Sequence, residues 1–175
     1  MGEMETRRLL ELLVTEGVDY KLYDHQPVYT SEQAAKVRGV ELKTGVKAMV
    51  LKKKFSIGED ETLETKVSLG GPYFLADLAA DRRLDFKKLE RLLDSPVKKL
   101  EFAKKEEVIA VTGCEAGSVH PIGRLFGLDT YLDESVLENE FVNFNIGLLT
   151  KSVRIKKDDL VRILESKVLG SFSKF

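Results

Sequence analysis

The sequence predicts an α+β fold built on a mixed sheet. Segments with period-two apolar alternation and segments with helical spacing interleave in no regular order. No repeat of about 20 to 50 residues runs through the chain, which sets aside solenoids and propellers. The 175 residues, 43% of them hydrophobic, suffice for one well-buried core and are short for two. A single domain over 1–175 is expected.

The elements follow in order. Leu9, Leu10, Leu12 and Leu13 cluster on one side of a helix over about 3–16, which Gly17 is placed to stop. "YKLYDH" alternates as a strand, and Thr30 and Ser31, with Glu32 and Gln33 behind them, open a second helix that ends near Gly39. "VKAMVLKKK" is the next strand, and "ETLETKVSLG" reads as its hairpin partner across the "IGED" turn. After Gly70-Gly71-Pro72, the second half of "YFLADLAADRRLDFKKLERLLDS" has leucines at near-helical spacing behind Asp85 as a cap. "VKKLEFA" is a short strand and "KKEEVIAVTG" a helix ending at Gly113. "LDTYLD", "FVNFNIG" and "SVRIK" are strands, "KDDLVRILES" is a closing helix, and 167–175 is expected to fray.

Bulk properties narrow the function. A net charge of −1 and a pI near 6.2 give no global positive field to draw the chain onto nucleic acid or an anionic membrane, so any RNA contact must be local. One cysteine, Cys114, and two histidines supply neither an internal disulfide nor a zinc pattern. No signal-peptide core or stretch of about 20 apolar residues is present. A cytoplasmic protein with no membrane contact, metal or cofactor is expected. The P-loop, the dinucleotide-binding glycine fingerprint, GxSxG and HExxH are all missing.

What remains is a set of individually weak features. In "CEAGSVHPIG", Gly117 and Pro121 bracket Ser118, Val119 and His120 in a G-x-x-x-P turn, which is either a tight connection or a loop aiming backbone N–H groups at an oxygen. Lys47 shares a strand face with Met49 and Leu51, so its ammonium either snorkels to water or sits in a polar cleft. His25 before Pro27, and Asn145 with Gly147 in "NFNIG", stand at strand ends where a hydrogen bond or a turn is the ordinary role. Cys114 has no local base and reads as a small buried residue.

Their order is more informative than any one of them. His25 near Thr30 and a helix with Ala34-Ala35, the "GVKAMVL" strand, "LDFKKLERLL", "EEVIAVTGCEAGSVHPIG", "YLDES" and "NFNIG" together resemble the YbaK and prolyl-tRNA-synthetase-associated editing family over about 20–165. The resemblance implies a mixed, barrel-like sheet surrounded by helices, and aminoacyl-tRNA deacylation. Lys47 matches the family's key strand lysine, Gly117 to Pro121 match the loop over the aminoacyl ester, Asp133 matches an acidic residue after the following strand, and Asn145 with Gly147 match the pocket-closing segment. It thus implies Lys47 and Gly117 as catalytic, with His25, Thr30, Met49, Ser118, Val119, His120, Pro121, Asp133, Asn145 and Gly147 around the substrate. Two departures stand out: Leu148 to Ser152 supply no histidine or aspartate after the closing glycine, and His120 occupies a position that is often small or hydroxyl-bearing.

The expected function is a trans-acting editing hydrolase that removes a small non-cognate amino acid, Ala, Ser or Cys, most readily from tRNA for proline. Its partner is the acceptor end of aminoacyl-tRNA, with a synthetase as an optional second partner. The alternative is a non-catalytic module of the same fold that binds an RNA end or a nucleotide. A small-ester or phosphate-ester hydrolase lacks the carboxylate or histidine cluster it would need for a metal.

Overall fold

A computed structural model describes residues 1–55, 71–93 and 97–175. The hairpin partner expected at 61–70, with its 57–60 turn, lies outside the described residues. The described elements run α1 (Glu3–Thr15), β1 (Lys21–Asp24), α2 (Ser31–Arg38), β2 (Val46–Phe55), β3 (Tyr73–Ala79), β4 (Arg83–Leu84), α3 (Phe86–Glu90), β5 (Val97–Phe102), α4 (Lys105–Thr112), β6 (Thr130–Asp133), β7 (Phe141–Asn145), β8 (Lys151–Lys156), α5 (Lys157–Leu164), β9 (Val168–Gly170) and β10 (Ser173–Lys174).

The main sheet has five strands in the order β5-β2-β3-β6-β9, antiparallel on the β5 and β2 side and parallel from β3 to β9. A three-stranded antiparallel sheet, β1-β8-β7, meets its end where Gly45 bridges Asn143. The α+β class with a mixed sheet holds, while the described strands form separate sheets and no closed barrel.

Both faces of the main sheet are covered. Leu51, Phe74, Ala76 and Tyr131 pack with Leu84, Leu89, Leu100 and Phe172 on one side. On the other, Val46, Leu132 and Ile122 join Leu9 and Leu13 of α1, Phe144 and Val153 of the small sheet, and Leu160 and Ile163 of α5. This explains the central strand β3, which the sequence reading left without an element. Apart from Asp77, "FLADLAA" is apolar toward both faces, so it shows no alternation.

The C-terminal tail corrects the expectation of fraying. β9 pairs with β6 and β10 with β4, Phe172 is fully buried, and the Asp133 carboxylate accepts the Phe172 N–H and the Ser173 hydroxyl, both at 2.7 Å. Helix α3 is shorter than its leucine spacing suggested, although Asp85 caps it as expected by accepting the Lys88 N–H at 3.2 Å. No helix among the described residues is long and apolar enough to cross a membrane.

Candidate active site

The two sheets, α2 and the loop after α4 enclose a cavity of about 120 Å³. Helix α2 forms one wall because Thr30 caps it, accepting the Gln33 N–H at 3.1 Å, and Gly39 at φ +66° stops it. Ala34, Ala35 and Arg38 share the face that this wall presents, since residues three and four apart lie together on a helix. Lys47 enters from the start of β2, Gly117 and Val119 from the loop, and Asn145 from the end of β7.

Lys47 is half-buried, and its Nζ lies 3.5 Å from the Ala80 carbonyl. Burial holds its pKa below the ordinary lysine value, against the raising influence of Glu32 and Asp81. No carboxylate among the described residues is at ion-pair distance from it. Of the residues on its strand face, Leu51 is buried and Met49 packs against the core, so Met49 is not part of the cavity wall.

The loop is pinned by its carbonyls. Asn145 Nδ2 donates to the Gly117 carbonyl at 2.8 Å, and the Gly147 N–H donates to the Ser118 carbonyl at 2.8 Å. Gly117 sits at φ +91°, where a side chain is strained, while a Cβ there would meet nothing nearer than Leu149 at 3.8 Å. Conformation, not crowding, therefore requires glycine. Because C=O and N–H point oppositely across a trans peptide, fixing the Ser118 carbonyl turns the Val119 N–H the other way. That N–H has no acceptor among the described residues.

Several residues implied by the resemblance lie elsewhere. The Ser118 hydroxyl is turned to the Glu115 carbonyl at 2.9 Å. His120 is fully buried, stacked on Phe126 with centroids 4.3 Å apart, and its Nδ1 accepts the Ile122 N–H at 3.2 Å. Burial pushes its pKa down to about 3, so it is neutral near pH 7 and holds the loop instead of serving as a base. Pro121 offers its carbonyl to the Gly123 N–H at 3.0 Å and does not line the cavity. Asp133 is spent on the C-terminal tail and on the Ser135 N–H at 3.0 Å. Gly147, at φ +102°, lies so close to Gly2 that a Cβ would meet its carbonyl oxygen at 2.9 Å. The Cys114 thiol is buried and pushed up to about 12, which keeps it protonated.

Sequence reasoning missed two residues. Arg38 lies in the cavity wall, its Nη2 donating to Asn145 Oδ1 at 2.7 Å and its Nε to Ser152 Oγ at 3.0 Å. Burial lowers its pKa to about 10, so it stays cationic at neutral pH. Ser152 is fully buried, within 3.0 Å of Asn145 Oδ1 and 2.6 Å of His25 Nε2, which puts His25 two hydrogen bonds behind the cavity wall. The segment after the closing glycine thus supplies a hydroxyl that binds a histidine from β1's end, where a histidine or aspartate had been sought. Arg38 could have been found from its spacing of four and three from Ala34 and Ala35. Ser152 gave no signal, because the pairing of β1 with β8 is what brings it to His25.

A small cavity holding two cations without carboxylate partners, a loop with a free N–H and no convergent cluster of metal ligands among the described residues is equipped to bind and polarise a small ester. The chain belongs to the aminoacyl-tRNA editing domain family, the class of ester hydrolases that the sequence resembles; the family model matches residues 25–163. It is 30% identical over 170 residues, 97% of this chain and 93% of the relative, to the multifunctional Ser/Thr-tRNA deacylase ProXp-y of Escherichia coli K12. A crystal structure described as a candidate trans-editing enzyme for prolyl tRNA synthetase superposes with a TM-score of 0.75 at 25% identity, covering 98% of each chain. A hypothetical protein shares the fold with a TM-score of 0.77 at 20% identity over 95% of this chain and 99% of that one.

Proposed function

We propose that this chain acts in trans in the cytoplasm on mischarged tRNA, hydrolysing the ester of a small non-cognate amino acid, alanine, serine or cysteine, with tRNA for proline as the carrier. The observation that carries this is the size of the cavity. At about 120 Å³ it is far below the roughly 300 to 1,000 Å³ of sites that engulf a drug-sized ligand, so it suits a small aminoacyl group and leaves the nucleotide outside.

An aminoacyl ester is activated, so positioning and charge stabilisation suffice for much of the rate. Lys47 fixes the aminoacyl group or the terminal nucleotide by charge and hydrogen bonding, and the Gly117 loop faces the reacting carbonyl. Glu41, a carboxylate that lines the cavity, pairs with Lys43 at 3.5 Å, which favours a route assisted by the terminal ribose hydroxyl. A pocket of this kind separates near neighbours by only about 1 to 3 kcal/mol, so overlapping substrates are expected.

The test is hydrolysis of labelled Ala, Ser, Cys and Pro esters on tRNA for proline. Seryl and threonyl esters on other tRNAs are added because the E. coli relative is named for them. Turnover of a non-cognate ester that Lys47→Ala abolishes supports the reading. A flat panel with retained tRNA binding would replace it with a binding module.

A further inference from the structure

We propose that Arg38 is a substrate-contacting residue that, with the Val119 N–H, stabilises the oxyanion formed at the ester carbonyl, and that Ser152 and Asn145 hold it in place for that role. This rests on the deacylase reading above. Arg38 is clamped by two neutral acceptors, Ser152 Oγ and Asn145 Oδ1, which fix two donors of its guanidinium and leave Nη1 without a partner among the described residues. No carboxylate there is at ion-pair distance. A half-buried cation without a counter-charge is costly, and the cost is recovered where negative charge arrives or develops.

The cavity says which negative charge that is. Its volume admits an aminoacyl group but not a phosphodiester with its sugars. Asn145 also ties the guanidinium to the loop, because the same amide that accepts from Arg38 at 2.7 Å donates to the Gly117 carbonyl at 2.8 Å. One side chain thereby sets the spacing between the arginine and the loop that carries the free Val119 N–H. In the reaction, water adds to the ester carbon, and the carbonyl π pair moves onto oxygen beside these donors. Collapse expels the ribose oxygen, which takes the proton that the water lost. Fixed donors of this kind need no reorganisation as the charge appears.

The experiment compares wild type, Arg38→Met, Arg38→Lys and Arg38→Ala on the labelled aminoacyl-tRNA that wild type turns over, at low and high salt, with thermal unfolding to confirm folding. Expected for Arg38→Met is a kcat lowered about 100- to 1,000-fold with KM changed less than about threefold. Arg38→Lys keeps the charge without the planar fork and should recover only a small part of the rate. Methylguanidinium added to Arg38→Ala should restore part of it, which a purely structural role would not allow. An unchanged kcat in folded Arg38→Met, or full recovery in Arg38→Lys, overturns the proposal. So does a raised KM with a shallower salt dependence, which would mean a phosphate contact. If wild type hydrolyses no aminoacyl ester, the deacylase reading fails and this one with it; if only the variant result fails, the deacylase reading stands.

Discussion

The two ends of β2 carry lysines of the same type in opposite circumstances. Lys52 donates to Glu107 at 2.6 Å, and the Tyr73 hydroxyl donates to the same carboxylate at 2.9 Å. The hydrogen bond to Glu107 raises the Lys52 pKa, while Glu107 is held down at about 2. Lys47 has only a carbonyl at 3.5 Å, and burial lowers its pKa. A lysine whose charge is answered within the protein is part of the surface, and one whose charge is left unanswered in a cavity is available to a ligand. Other basic side chains are answered as Lys52 is. Lys54 pairs with Glu101 at 3.0 Å and Arg82 with Glu138 at 2.9 Å.

The largest expected effect lies at the unanswered end. Lys47→Ala should slow deacylation about 100- to 1,000-fold, the usual cost of a preorganised charge, and leave thermal stability nearly unchanged. Because its pKa is lowered, Lys47 loses its proton at a lower pH than a free lysine, so the enzyme-specific rate should fall on an alkaline limb below pH 10.5. Single-turnover hydrolysis, corrected for the spontaneous rate at each pH, measures both. An alkaline limb that survives in Lys47→Ala would assign it to another group.

How much of this was legible in sequence follows from the same contrast. Lys47, the glycine loop and Asn145 were singled out by the order of motifs that resembles the editing family, since each alone read as readily as a snorkelling side chain, a tight connection or a turn; Lys47, Gly117, Val119 and Asn145 do line one cavity. Met49, His120, Pro121, Asp133 and Gly147 lie near the same motifs but serve packing, loop support and the tail. Only the tertiary arrangement separates the two groups. The order β5-β2-β3-β6-β9 and the capture of the tail by Asp133 depend on long-range pairing that no local pattern encodes.

Asp77 gives the next effect in size and extends the comparison to acids. It lies opposite Ala48 on β3, fully buried, with neither oxygen hydrogen-bonded among the described residues, and burial raises its pKa well above the ordinary value. The folded protein then keeps a proton that the unfolded chain gives up above about pH 4, so stability falls as pH rises from there. Asp77→Leu removes an unsatisfied polar group and should stabilise the fold by about 1 to 3 kcal/mol at pH 7. Urea unfolding at pH 4 and pH 7.5 should show a much larger gain at the higher pH. Equal gains would mean that Asp77 is not protonated in the folded state.

The smallest effect belongs to the answered end of β2. Glu107→Gln keeps the side chain that accepts the Lys104 N–H at 2.8 Å and caps α4, while removing the charge that faces Lys52. Both groups border water, so screening leaves the pair little net worth, and a small drop in the unfolding midpoint is expected with no change in deacylation. The pH dependence identifies the cause. Glu107 has its folded pKa lowered to about 2 from a free value of 4.5, so what it contributes is present above pH 4.5 and lost as pH falls through that window. Wild type and Glu107→Gln should therefore differ in midpoint at pH 7, draw together as pH falls from 4.5, and converge only below about pH 2. A deacylation rate that falls with this substitution would show that Lys52 also answers to substrate, and the division between the two ends of the strand would no longer hold.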